Sequence, residues 1–215
     1  MTYPARYALL LDGGFLIKKH QAFYKAFPEA DDIQRFCDAV KSHPDLVNNK
    51  LLRSYFYHAP PAKDKLTNPL DHSKIDLSKT DIFRAHERLM DRLELMPDFA
   101  LRLGETVTHN WRLGSKAMQS LMKNPRDIQA GDLVPNINQK GVDLRIGLDI
   151  ARLSLRQTVE TIVVATGDSD LVPAFKFARR EGVQVLLLHL DHGIRRDLKA
   201  HCDRVLEVKW PKASS

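Results

Sequence analysis

Residues 161–172 read TIVVATGDSDLV. Ile162, Val163, Val164 and Ala165 are an unbroken apolar run of mostly β-branched residues, the pattern of a strand buried on both faces, as in a parallel sheet. Thr166 and Gly167 end the run. Asp168, Ser169 and Asp170 follow, and a helix is predicted from Leu171 to Glu181 with Pro173 in its first turn, where a missing N–H is tolerated. Two carboxylates therefore stand at the carboxyl end of a central strand, the edge at which open α/β sheets bind ligands. They also stand near a helix N-terminus, whose dipole tolerates negative charge. On local sequence alone the simpler reading is an N-cap and a solvated turn residue. The rest of the chain shifts that balance.

Downstream, Gly182 stops the helix and Val183–Leu190 is a second fully apolar strand. A short helix over Ile194–Cys202 carries Arg195, Arg196 and Lys199, and Val205–Val208 reads as an edge strand. Upstream, residues 139–156 read QKGVDLRIGLDIARLSLR. A helix begins there at about Val142 with Asp143 in its first turn. Leu144, Ile146, Leu148, Ile150, Ala151, Leu153 and Leu155 make it apolar nearly all round, which predicts deep burial.

At the other end of the chain Tyr7–Leu11 is another buried-strand pattern, followed by Asp12, Gly13 and Gly14. Two glycines permit a sharp turn that leaves the carboxylate uncovered. Helical spacing follows over Phe15–Phe27 and from Asp31 or Asp32 to Val40. Leu51–Ala59 alternates and is aromatic-rich, so it reads as a strand, and Pro60 and Pro61 end it. Residues 62–78 read as an exposed polar loop. Lys79–Met96 is helical, Phe99–Leu103 a short strand, and residues 105–139 give a mixed signal with a helix near Ser115–Met122. Strands alternate with helices throughout. The expected class is α/β, a doubly wound, mainly parallel sheet with helices on both faces. The expected organisation is one domain over residues 1–210, with a polar loop and helical insertion at about 60–139, and a frayed tail over 211–215.

The 215 residues and 43% hydrophobic content suffice for a sizeable core. A formal net charge of +6 is compatible with a polyanionic partner, nucleic acid first. Cys37 and Cys202 make no disulfide framework and read as small core residues of a reducing compartment. The N-terminal apolar run is too short for a signal peptide and no stretch approaches the ~20 apolar residues of a membrane span. A cytoplasmic location without membrane attachment is expected.

Asp12, Asp143, Asp168 and Asp170 all follow strands or open helices. If the strands at Tyr7 and Ile162 are neighbours, all four converge on one pocket. At ~4 Å a like-charged pair costs roughly 1 kcal/mol in water and about 4 at an effective dielectric of 20, so such a cluster calls for a cation. Oxygen ligands without a Cys or His set suit Mg²⁺ or Mn²⁺ rather than Zn²⁺. Such ions can hold a phosphodiester, activate a water and stabilise a leaving oxygen. The implied chemistry is hydrolysis of a nucleic-acid phosphodiester.

LLLDGG (9–14), KGVDLRIGLD (140–149) and VVATGDSDLVPAFKFARREGVQVLLL (163–188) together resemble a bacterial NYN domain of the LabA-like branch, within the PIN-like nuclease superfamily. LRLGETV (101–107) and LKAHCDRVLEV (198–208) add to the resemblance, which runs from Tyr7 to about Val208. It implies a Rossmann-like PIN fold and a metal-dependent ribonuclease. The family's acids carry over onto Asp12, Asp143, Asp168 and Asp170 as catalytic metal ligands. Asp149 matches a further acid of the middle motif. It lies about 240° around the helix from Asp143 at ~100° per residue, so it reads as a supporting or structural residue. Two departures are evident. Phe15 stands where the family often has Asn, and Ile194 or Arg195 where many relatives have Ser. PIN-like domains often dimerise, so a homodimer is compatible with the resemblance, although no surface in the sequence identifies an interface.

Several further residues carry two readings. Thr166 and Ser169 can bond a carboxylate ligand or a phosphate, or be plain turn residues. Lys140, Arg195, Arg196 and Lys199 can contact an RNA backbone as point charges or lie on solvated faces. Trp111 and Tyr55–Tyr57 can stack bases, although core packing suits the strand better. His189, Asp191 and His192 match no zinc spacing. A haloacid-dehalogenase phosphatase needs a second Asp where Gly14 stands, and a P-loop is absent. The alternative from another class is a PIN-like module that binds RNA or a protein without cutting.

Overall fold

Thr161–Ala165 form a strand whose five residues are all buried, and the rest of the fold is laid out around it. The protein is described here from a computed structural model covering residues 4–190, 193 and 195–211. The strands are β1 (Arg6–Asp12), β2 (Lys50–His58), β3 (Lys65–Thr67), β4 (Lys74–Asp76), β5 (Phe99–Leu103), β6 (Glu105–Leu113), β7 (Leu133–Lys140), β8 (Thr161–Ala165), β9 (Gln184–Leu188) and β10 (Arg204–Leu206). The α-helices are α1 (Gly13–Tyr24), α2 (Ala30–Lys41), α3 (Asp81–Glu94), α4 (Ser115–Lys123), α5 (Val142–Leu155), α6 (Val172–Arg180) and α7 (Arg196–Ala200).

Six strands form one sheet in the order β10-β9-β8-β1-β2-β5, and every pairing in it is parallel. From β1 the chain winds outward through β2 to β5. From β8 it winds the other way through β9 to β10. The order therefore reverses between β1 and β8, and the crevice outside their carboxyl ends is the place where doubly wound sheets bind ligands. Leu11 pairs with Ala165, so Asp12 and Thr166 leave the sheet side by side.

Side chains alternate across the sheet, as the two-residue strand period requires. Leu9 and Leu11 pack with Leu16, Ile33, Phe36 and Leu89 on one face. Ala8 and Leu10 pack with Ile146, Ile150, Leu171 and Phe175 on the other. Helices thus cover both faces, as the alternation of elements predicts.

Three expectations are corrected. The helix from Val142 is not buried all round: Leu144, Leu148 and Leu155 are 65%, 60% and 63% exposed. Ile146, Ile150 and Leu153 form the stripe that meets the sheet, and one stripe is all that a helix laid on a sheet can bury. Residues 62–78 are not merely a loop, because β3 and β4 pair antiparallel within them. The mixed segment 105–139 holds an antiparallel hairpin of β6 and β7 around α4. This arm leaves the sheet edge after Gly104 and returns at Gly141. It leans on the smaller hairpin: Trp111 Nε1 donates to the Thr67 carbonyl at 2.8 Å and Asn68 Nδ2 to the Ala130 carbonyl at 3.1 Å. The expectations at Asp191, His192 and Ile194 lie outside the described residues.

Candidate functional site

Asp12 ends β1 and caps α1. Its Oδ1 accepts the Phe15 amide N–H at 3.0 Å, the ordinary work of an N-cap carboxylate. The glycines after it do not turn the chain, since neither has a positive φ and both lie in α1. Gly13 is required by space instead: a Cβ there would lie 2.6 Å from the Phe56 ring and 2.7 Å from the Tyr57 carbonyl oxygen. Close approach of helix to strand, not a sharp turn, is what brings α1 to this edge.

Thr166 is buried. Its hydroxyl donates to Asp12 Oδ2 at 3.4 Å and accepts the Asp168 amide N–H at 3.1 Å. It therefore ties the two strand ends together. Asp168 caps the 3₁₀ turn Ser169–Leu171, and its Oδ1 accepts the Asp170 N–H at 2.9 Å. Asp143 arrives from the other side, in the first turn of α5. Gly141 precedes that helix at φ 73°, a conformation that suits glycine. A Cβ on Gly104 would lie 2.6 Å from the Lys140 carbonyl oxygen, so the start and end of the β6–β7 arm press together there.

Asp12, Asp143, Asp168 and Asp170 line one open cavity of about 570 Å³. Ser169 lines it too, and Arg195 Nη1 donates to the Ser169 hydroxyl at 3.0 Å. The carboxylates feel one another. Burial raises the pKa of Asp12 above the ordinary value, and the charges of Asp143 and Asp168 add to the rise, against the Phe15 and Thr166 hydrogen bonds. Burial raises Asp143 as well, followed by the charges of Asp168 and Asp170. No ion pair among the described residues offsets any of the four. The donors are all hard oxygens, which fits Mg²⁺ or Mn²⁺ in kind. They surround the cavity rather than meet at one point: among the described residues no group of three His, Cys, Asp or Glu is gathered closely enough to hold an ion as it stands.

Asp149 lies away from the cavity. Its Oδ2 accepts from the Tyr57 hydroxyl and from Arg102 Nε, both at 2.9 Å, which fastens α5 to β2 and β5. Lys140, Arg196 and Lys199 are exposed and do not line the cavity. Tyr55–Tyr57 are core residues. Two lining residues escape a reading of the sequence by motif, Lys18 and Gln139. Lys18 follows Gly14 by four residues, one helical turn, so it shares the face of α1 that reaches the site. Gln139 comes from the β6–β7 arm and is placed by the tertiary fold alone.

Residues 110–209 match the family model of the NYN domain. This segment contains Asp143, Asp168, Asp170 and Arg195, whereas Asp12 lies before it. A 74-residue stretch is 27% identical to an uncharacterized protein of Methanocaldococcus jannaschii. That stretch is 34% of this chain, and the chain spans 31% of that relative's length. The fold resembles the crystal structure of a protein of unknown function from Vibrio parahaemolyticus. The TM-score is 0.54 at 12% identity, over 96% of this chain and 95% of that one.

Proposed function

We propose that this chain, which carries an NYN domain of the PIN-like superfamily, is a metal-dependent nuclease that hydrolyses phosphodiester bonds in RNA. One observation carries the reading: four aspartates from three segments line one cavity at the point where the sheet reverses, and burial and mutual repulsion raise the proton affinity of two of them. A cluster of that kind is stabilised by a divalent cation. When bound, Mg²⁺ or Mn²⁺ supplies Lewis-acid stabilisation of the developing charge and lowers the pKa of its water. Asp12, Asp143, Asp168 and Asp170 are the residues that would hold it, drawing together from the walls of the cavity around the ion. Thr166 fixes Asp12 and the backbone of Asp168 relative to each other, and Lys18 and Arg195 offer the cavity's cations to the phosphate. The oxygen of a water bonds to phosphorus as that water gives up a proton to solvent, one P–O ester bond breaks, and the leaving oxygen takes up a proton from solvent, so that H and OH of one water are added across the bond.

Labelled single-stranded RNA incubated with purified protein in EDTA, Mg²⁺ or Mn²⁺ tests this, with Asp168→Asn beside the wild type. Cutting that needs metal and falls at least about a hundredfold in the variant is expected, on the scale of losing a transition-state electrostatic partner. A module that binds without cutting is the competing reading, favoured by the spacing of the carboxylates around the cavity. It predicts no cleavage with any metal, and RNA binding that Asp168→Asn leaves equal or stronger.

A further inference from the structure

We propose that the cavity next to the acidic site is a nucleobase-binding subsite, filled by a base of the RNA strand whose phosphate faces the carboxylates. The inference rests on the nuclease reading for where that phosphate sits. The two cavities share a wall made of Gly14, Lys18 and Gln139. Beyond the wall lies a space of about 670 Å³ whose lining is apolar at Ile17, Phe27, Ile82 and Ile137, with two imidazoles, His58 and His86, and with Gln21, Asp81 and Asn138 as its polar members.

Two of the rings stack: His86 lies parallel to His58 at 5.3 Å, with 4° between the planes. Phe27 touches His86 at 4.5 Å between centroids but is tilted by 56° to it. Such faces suit a base of any identity, since every base has a π-face. His58 is only 2% exposed, and neither of its ring nitrogens has a hydrogen-bond partner among the described residues. A neutral imidazole carries one donor and one acceptor, and leaving both unmet in a buried place is costly. A base edge carries donors and acceptors, so a base in this cavity partners whichever His58 nitrogen a turn of the imidazole brings to it. A sugar or phosphate does not explain aromatic and aliphatic walls. Lys18 stands in the shared wall, where an ammonium serves a polyanionic strand. Past His86 the lining continues into a second apolar cavity of about 340 Å³ beside Pro60, Pro61 and Pro135, which gives the groove length for more than one nucleotide.

The test is to titrate the full chain in EDTA with adenosine and, separately, with ribose, following the imidazole C–H NMR signals of His58 and His86. Adenosine should move both signals saturably and ribose neither. His86→Ala, a half-exposed position, should weaken adenosine binding about tenfold, the scale of one lost stacking partner. Equal effects of adenosine and ribose, or no movement of either signal, overturn the proposal without reliance on any variant. The outcome separates from that of the cleavage assay. Metal-dependent cutting with unmoved histidine signals keeps the nuclease and removes the subsite. Signals moved by adenosine alone, with no RNA cut under any metal, keep the subsite and remove the nuclease.

Discussion

At the residue scale the two adjoining cavities hold opposite pH dependences. Burial and neighbouring carboxylates raise Asp143, so just above the ordinary carboxylate pKa the folded state binds more protons than the unfolded state. Stability then falls as pH rises through that window. In EDTA at neutral pH, Asp143→Asn should raise the melting temperature and flatten this decline. Thermal melts from pH 3 to 8 check both. His58 has the reverse sign. Burial, then the nearby His86, lowers its pKa from 6.5 to about 4, so the unfolded state binds the extra proton. Its contribution is present above 6.5 and lost as pH falls towards 4, by up to about 3 kcal/mol. His58→Gln should remove that part of the acid limb in denaturant titrations. Asp12 was identifiable from its place between an apolar run and two glycines. The reason for Gly13 was not, because it lies in a Phe56 ring that is distant in sequence.

At the element scale, α1 and α5 must reach the sheet edge closely enough to deliver Asp12 and Asp143. Gly13→Ala forces a methyl against Phe56 and the Tyr57 carbonyl, and should cost about 1–3 kcal/mol by overpacking. Gly141 holds φ at 73°, so Gly141→Ala should cost about 1–2 kcal/mol for left-handed backbone. It should also displace the start of α5, which chemical denaturation and metal titration of the same variant would both register. Periodicity made the helices legible, including the first turn that carries Asp143. It did not tell which apolar stripe of α5 meets the sheet, because Ile146 and Leu148 are equally apolar and only the packed neighbour distinguishes them. The β6–β7 arm was hard to read for a related reason. Its side chains are largely exposed or half-buried, so the alternation that marks a one-sided strand is weak.

At the scale of the whole molecule, the acidic cavity exists only because β1 and β8 pair although the chain between them spans β2 to α5. An ion held by ends so far apart in sequence binds the folded chain and not the unfolded one. Mg²⁺ at about a hundred times its Kd should therefore stabilise the protein by about 2.7 kcal/mol. Thermal unfolding in Mg²⁺ against EDTA measures it, and Asp168→Asn should lose most of the shift. Among the described residues no helix is long and apolar enough to cross a membrane.

The sequence by itself determined the α/β class, the buried parallel strands and the four aspartates at strand ends and a helix start, since each is a local pattern of apolar periodicity broken by an acid. The tertiary structure alone decided that β1 lies beside β8 and that Thr166 joins Asp12 to Asp168. It also decided that Lys18 and Gln139 enter the site and that Asp149 serves Arg102 and Tyr57 instead. The physical reason is the same in each case. Burial on a strand or helix is written in nearest neighbours along the chain, whereas the partner of a polar side chain is chosen by contacts formed only when distant segments pack.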